Sequence, residues 1–383
     1  MHPARLGAFW FGIQVVWTSV LGVVLQDRVS ALSTQPVRDY ALMAALGAAL
    51  AAVTQIAAGL LSDRFRSRSG DRRAFYRAGV LIAVPALIAL TAAPSIAWLW
   101  VALLVLQVGM NVAGGPYQAI VGDYVAASYV GRASGWMSIN QFAGSVTGLL
   151  LTIVLHGAPL GAALAVCLIG GWFLTDSAIA TRPPLAYERK ALHLSSDAWT
   201  VIVSRGLINV GFYTLFGFLF FFVRESLGIV DARSATGMLF LVFTVAGIGG
   251  AALAGTPADR IDKRVVVSLA AGAIAVAVGL FAAAPSFPIA IACALASGAA
   301  WGAFFTADWA IAYAVLPRAA LASAMGVWNL AAAVAQVAAP AITAPLVRAA
   351  DLRRAGLGPR LALLCVIVEF GLGTLCLWRV KLR

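Results

Sequence analysis

The sequence predicts an all-α membrane protein of about twelve transmembrane helices in two six-helix, pseudo-symmetric bundles. Three observations carry that expectation. Of 383 residues, 62% are hydrophobic and 11% charged, against roughly 25% charged in soluble domains. Too few polar residues exist to coat a soluble core of this size, so the surplus apolar surface faces lipid. The apolar runs have helical length, about 20 residues each, and not the short alternating segments of a β-barrel. Finally, the stretch Gly59–Arg77 (GLLSDRFRSRSGDRRAFYR) returns as Gly255–Arg264 (GTPADRIDKR), with Gly59, Asp63 and Arg64 matched by Gly255, Asp259 and Arg260 at one constant offset. A repeat of that kind describes two halves on one plan.

The first six spans are expected near 6–26, 40–62, 76–93, 96–122, 131–156 and 160–180. Arg5 followed by an apolar run mimics a signal peptide. The run is long, however, and no small-x-small cleavage site precedes Gln26–Asp27, so it reads as the first membrane helix. The most polar linker, 181–197, begins at Thr181 and carries Pro183, Pro184, Glu188, Arg189 and Lys190. The second six spans are expected near 198–224, 234–256, 264–284, 287–314, 321–347 and 358–378. The domains are therefore an N-terminal bundle (1–180), a cytoplasmic linker (181–197) and a C-terminal bundle (198–383).

Charge sets the orientation. With both termini cytoplasmic, roughly 18 of the 27 Lys and Arg lie inside and roughly 8 outside, leaving Arg205 within a helix. Arg348, Arg353, Arg354 and Arg360 run against the rule, since all four fall in a predicted outer loop. The net charge of +12 would suggest nucleic acid in a soluble chain. Here the bases sit in short loops between apolar runs, so they set topology and no nucleic-acid partner is expected. Cys167, Cys293, Cys365 and Cys376 all lie in apolar runs without a CxxC, and read as buried thiols with no disulfide and no metal site. His2, His156 and His193 are dispersed. With no histidine cluster and no nucleoside-triphosphate loop, neither an enzyme nor a cofactor is expected.

The repeat continues as Arg132–Asn140 (RASGWMSIN) against Leu321–Asn329 (LASAMGVWN), at a smaller offset because the first basic loop carries an extra RSRSG. Parallel six-helix repeats predict a solute site between the halves near the membrane midplane. Over its whole length the chain resembles the major facilitator superfamily, and the loop Gly59–Arg73 looks like that superfamily's signature between helices two and three. The lengthened loop with Ala74–Phe75, together with Gly115–Asp123 (GPYQAIVGD) and Asp308–Pro317 (DWAIAYAVLP), is similar to the glycoside–pentoside–hexuronide and sucrose-transporter-like branches. The resemblance implies the major facilitator fold, with helices one, four, seven and ten lining a cavity. Sodium-using members carry acids within helix two; 40–61 here has none, which speaks against sodium coupling.

Ionisable residues within apolar helices cost about 2.5–3.5 kcal/mol at the helix centre, so they carry most of the functional information. Arg205 and Asp308 both lie six to eight residues inside their helices from the same side, about 10 Å deep. They are expected to face the cavity and pair, with release of the pair letting Asp308 take a proton. The alternative is a permanent pair that locks two helices. Glu369, in the usually peripheral helix twelve, and Asp176, near a helix end, are weaker candidates.

Neutral polar and aromatic candidates for the solute are Gln14 and Trp17 on helix one and Gln107, Asn111, Tyr117 and Gln118 on helix four. Asn209 and Tyr213 follow Arg205 on helix seven, Trp309 follows Asp308 on helix ten, and Trp328, Asn329 and Gln336 begin helix eleven. Amides and rings suit a neutral polyhydroxylated solute; the alternative is that they hold helices together. An anionic solute neutralising Arg205 also stays open. Gly114, Gly115 and Pro116 are expected to interrupt helix four. By resemblance, Asp63, Arg64, Arg73, Asp123, Arg132, Asp259 and Arg260 would form a cytoplasmic gate of inter-helix ion pairs, with plain topology-setting charge as the alternative.

These readings converge on a secondary transporter of the inner membrane, acting as a monomer in lipid. It would move a small polar solute, a sugar or glycoside, by alternating access, with protons as the coupling ion. The alternative is proton-coupled export of drugs or amphipathic compounds; a non-transporting receptor is a third class.

Overall fold

The computed structural model describes residues 3–180, 182–186, 188, 190–354 and 356–381. His2, Thr181 and Arg189 lie outside the described residues. The described chain is all-helical, and twelve of its helices are long and apolar enough to cross a membrane. They are α1 (Ala8–Leu32), α2 (Arg38–Ser69), α3 (Arg73–Thr91), α4 (Ile96–Tyr124), α5 (Ala127–Val154) and α6 (Gly157–Ile179), then α7 (Ser196–Ser226), α8 (Ala232–Arg260), α9 (Lys263–Ala283), α10 (Phe287–Val315), α11 (Arg318–Asp351) and α12 (Leu357–Leu377).

Several boundaries differ from the sequence expectation by a turn or more: α1 continues past residue 26 to Leu32, α8 past 256 to Arg260 and α11 past 347 to Asp351. The apolar run of the second helix ends near residue 62, yet α2 continues through the basic stretch to Ser69. Arg66 and Arg68 fall in its last turn, where cations suit the negative end of the helix dipole. Helix four passes through Gly114 and Gly115 without a break. Its first segment, Ile96–Tyr117, contains Pro116, and the turn falls at Gln118 and Ala119 before Ile120–Tyr124. There the Gln118 amide keeps a helical bond to the Gly114 carbonyl, while the Ala119 amide takes the tighter three-residue step to Pro116.

The chain divides into two compact units. The first is Met1–His193 with Leu316–Val327; the second is Leu194–Val315 with Trp328–Arg383. Each repeats one packing scheme. In the first, α2 and α3 pack on α4, and α6 packs on α1 and α3. In the second, α8 and α9 pack on α10, and α12 packs on α7 and α9. The scheme extends to local irregularity: α1 and α7 each contain one π-helical turn, at Val20–Val24 and Phe222–Ser226. Helix ends are closed by arginine in both units. Arg28 donates to the Ala93 carbonyl beyond α3. Arg360 donates to Ala282 and Ala284 at the end of α9 and to Ser226 at the end of α7. Terminal carbonyls with no intrahelical partner need such donors. Arg360, one of the four bases at odds with the charge rule, thus has a structural role.

Close helix approach rests on small residues. A Cβ added at Gly171 of α6 would come within 2.7 Å of the Ala8 carbonyl oxygen on α1, whereas one at Gly170 meets nothing within 4 Å. Gly171→Val should therefore destabilise the protein by about 1–3 kcal/mol through overpacking, and Gly170→Val should leave it within about 0.5 kcal/mol of the parent. Thermal unfolding of the two purified variants in one detergent checks the contrast.

Candidate functional site

The second unit brings Arg205 of α7 and Asp308 of α10 together in a buried ion pair. Both residues are 5% exposed, so each charge has the other as counter-ion in place of water. The guanidinium carbon of Arg205 also lies 3.4 Å from the ring centroid of Trp328, at the start of the second unit's share of α11. A cation held over an indole and shielded from water gains about 2 kcal/mol. Trp309 packs on Trp328 with centroids 4.7 Å apart. Asp308 and Trp309 are neighbours in sequence, so α10 presents the carboxylate and the second indole to the same arginine–tryptophan stack. Trp309 belongs to a run at helical spacing, Trp301, Phe305, Trp309 and Tyr313, in which successive rings lie about one turn apart along α10. Trp301 was not among the expected site residues. The spacing of four was its signal, and Phe212 of α7 stacks on it at 4.4 Å.

The other expected solute residues are distributed more widely. Asn209 turns back on its own helix, its Nδ2 donating to the Arg205 carbonyl at 2.9 Å. Tyr213 packs against the small apolar cluster of Val210, Ala335 and Ala339. Asn329 is half-buried and Gln336 is exposed. In the first unit, Gln14 and Trp17 are half-buried on α1, and Gln107 and Gln118 are buried on α4. Asn111 donates to the Gln107 carbonyl at 2.8 Å and to its Oε1 at 3.3 Å, so these two members of the amide stripe bond to each other within one helix. Tyr117 serves packing. Its hydroxyl donates to the Leu6 carbonyl at 2.7 Å, and its ring, without exposed surface, sits among Phe9, Trp10 and Tyr76. Of the weaker candidates, Glu369 of α12 receives a 3.4 Å hydrogen bond from Thr214 of α7.

A second cluster of charges lies in the first unit, where α2, α4 and the start of α3 meet. Arg72 places Nε 2.8 Å from Asp123 Oδ2 and Nη2 2.7 Å from Asp63 Oδ1, and donates from Nη1 to Ser62 at 2.9 Å. Arg66 pairs with the other oxygen of Asp123 and donates to the Leu185 carbonyl at 3.0 Å. Asp63 Oδ2 accepts from the Ser323 hydroxyl at 2.5 Å and from its backbone N–H at 3.0 Å, at the beginning of α11. A carboxylate at a helix N-terminus meets unpaired amides and the positive end of the dipole. The segment Leu316–Val327, which carries Ser323, belongs to the first unit. The Leu185 amide donates to the Asp123 carbonyl at 2.7 Å, so the linker is tied to the same cluster. Burial pulls the Arg72 guanidinium pKa down, but the adjacent Asp123 and Asp63 raise it by more, and the net shift is upward.

Arg66 and Arg72 thus stand where Arg64 and Arg73 were expected. Asp63 and Arg66 are three apart and share a helix face, while Arg64 points away and is exposed. Gly70 takes φ of +90°, a turn that brings Arg72 inward. Arg73 opens α3 one residue later and makes a bidentate pair with Asp176 of α6, both contacts 2.7 Å, which Arg77 joins at 3.3 Å. Arg132 is exposed and lies 4.5 Å from the Tyr129 ring centroid. At the end of α8, Asp259 is half-buried and Arg260 exposed. At the start of α9, just beyond, Arg264 is half-buried and pairs with Asp262 at 2.5 Å. Among the described residues, no group of three or more His, Cys, Asp or Glu side chains is placed to hold a metal ion.

Removing one member of a buried ion pair leaves an uncompensated charge, at a cost of about 3–5 kcal/mol. Asp123→Asn, which removes the carboxylate that Arg66 and Arg72 share, should lower stability by about that amount. Arg64→Ala and Arg132→Ala, at exposed positions, should cost no more than about 1 kcal/mol. Denaturation midpoints of the three variants decide whether the cluster is structural to this degree.

Among curated proteins, none matches the sequence. Among solved structures, the chain is similar to a bacterial homologue of the iron transporter ferroportin in its outward-facing state. That match has a TM-score of 0.76 at 15% identity and covers 100% of this chain and 99% of that one. It is also similar to the human organic anion transporter MFSD10 (TETRAN), with a TM-score of 0.71 at 14% identity over 98% of this chain and 100% of the other. At these identities the likeness is one of fold. The sequence model described as Major Facilitator Superfamily matches residues 7–340, nearly the whole chain. Twelve membrane-length helices, a motif repeated between the halves and that match make the chain an integral membrane protein belonging to the Major Facilitator Superfamily of transporters.

Proposed function

We propose that this transporter moves a small polar organic solute, a sugar or glycoside, across the inner membrane by alternating access coupled to protons, with both termini in the cytoplasm. The observation that carries the reading is the buried Arg205–Asp308 pair seated on Trp328. Two charges at this depth cost free energy that apolar residues of the same volume would not, and their opposition allows reversible chemistry. When a solute or a rearrangement separates them, Asp308 loses its counter-ion and is neutralised by a proton. The indoles of Trp309 and Trp328 are buried against each other here, and in a state that opens the stack they would offer flat faces for the apolar side of a pyranose ring. In this reading the Asp63–Arg72–Asp123–Arg66 cluster is the cytoplasmic gate, a set of pairs that favours one of two states separated by a few kcal/mol. The protein works as a monomer with membrane lipid as its surroundings.

A second reading, export of amphipathic compounds, is favoured by the aromatic run from Trp301 to Tyr313 on α10. Glycoside uptake abolished by a protonophore distinguishes the first; resistance of cells to lipophilic cations distinguishes the second.

Asp308→Asn in proteoliposomes tests the coupling. Accumulation driven by an imposed pH gradient should fall at least about tenfold, while solute exchange without a gradient persists. Undiminished proton-driven accumulation would end the assignment of Asp308 as the proton carrier.

A further inference from the structure

Two hydrogen-bond donors stand unused beside the ion pair of the second unit. Arg205 gives Nη1 to Asp308, while its Nε–H is buried without an acceptor. Trp328 has no exposed surface, and its Nε1–H is likewise buried without an acceptor. The two side chains are planar and stacked, with the guanidinium carbon 3.4 Å from the ring centroid. Their edge donors therefore belong to one small region. A buried donor left unpaired costs about 1–3 kcal/mol, and the great majority of such groups in folded proteins are paired. Two of them on neighbouring side chains, one cationic, describe a receptor for an acceptor that the chain itself does not supply.

We propose that Arg205 Nε–H and Trp328 Nε1–H receive an anionic oxygen of the transported solute, and that the substrate class is a small organic carboxylate. The inference rests on the ion pair being the solute-recognition element of the transporter proposed above, and it narrows the sugar or glycoside to one that carries a carboxylate, a sugar acid. A neutral hydroxyl would satisfy the two donors but could not replace the charge of Asp308. A carboxylate does both, because hydrogen bonds from a guanidinium to a carboxylate are charge-assisted and specific in geometry. The charges balance. In the empty unit the pair is an arginine cation and an aspartate anion. When the solute carboxylate takes the arginine, an O–H bond forms on Asp308 with one proton from the aqueous phase, and no other bond is made or broken. The loaded unit then holds the arginine cation, the solute anion and a neutral aspartic acid, so one proton accompanies each anion. Trp309, packed on Trp328 and buried here, would supply an indole face for the organic part of such a solute once the stack opens.

The test compares acids with alcohols of the same skeleton, gluconate against sorbitol and benzoate against benzyl alcohol, by titration calorimetry on the purified full-length chain. Each acid should bind about tenfold or more tightly than its alcohol, the range expected for a hydrogen bond to a charged group. Trp328→Phe keeps a ring beneath Arg205 and removes only the donor. It should weaken the acids about five- to tenfold and leave the alcohols unchanged. The heat of acid binding should vary with the ionisation heat of the buffer as uptake of about one proton per anion requires. Asp308→Asn should abolish that variation and keep the preference for acids. Equal binding of acids and alcohols, no binding of either acid, or an unaltered Trp328→Phe variant would overturn the proposal. Acid-selective binding with no solute flux in proteoliposomes would instead overturn the coupled-transport reading and leave the receptor assignment standing.

Discussion

A charge withdrawn from water must be met by another charge, and within a membrane helix the nearest water is many residues away. That constraint organises both units. In the second, Arg205 and Asp308 answer each other across α7 and α10, with the Trp328 ring spreading part of the cation's field. In the first, two arginines and two aspartates, Arg66, Arg72, Asp63 and Asp123, form a closed circuit whose side chains are at most 3% exposed. The arithmetic of each cluster is neutral, as low dielectric requires. The third pairing, Arg73 and Arg77 with Asp176, is more exposed and carries a surplus cation. A surplus is tolerable only where solvent screens it.

The same scarcity of water governs the backbone. Every helix end has amides or carbonyls without an intrahelical partner, and lipid supplies none. Arg28 and Arg360 answer the carbonyls beyond α3 and α9, Asp63 answers the first amides of α11, and Asp262 caps α9 by accepting from the Arg264 amide at 2.9 Å. Within the helices, Ser138, Thr147, Thr244 and Ser297 return their hydroxyls to carbonyls four residues earlier. The unpaired donors of Arg205 and Trp328 differ from these groups, and they lie on neighbouring side chains beside a buried ion pair.

The aromatic residues divide by the same logic. Tyr117 is committed to packing because its only polar atom has a backbone acceptor and its ring is enclosed by three others. Trp328 is enclosed to the same degree, yet its polar atom is uncommitted. Burial alone does not separate a core ring from a recognition ring; the fate of the N–H or O–H does.

Much of this was legible in the residues. Composition and run length determined a helical membrane protein, because surplus apolar surface has no other solvent and run length selects helix over barrel. The repeated Gly-x-x-x-Asp-Arg loop determined two like halves, and the rarity of charge within apolar runs singled out Arg205 and Asp308. What the sequence could not decide was partnership among near neighbours. Arg64, Arg66, Arg72 and Arg73 are alike in a charge count. Which of them faces Asp63 and Asp123 depends on the phase of α2 beyond its apolar run and on the turn at Gly70, a matter of about 100° of helical rotation per residue. Likewise Tyr117 and Trp328 are equal as aromatic residues on expected lining helices. Only the packing of neighbouring helices decides which ring's polar atom meets a carbonyl, because that pairing joins residues distant in the chain, and their meeting exists only once the helices are side by side.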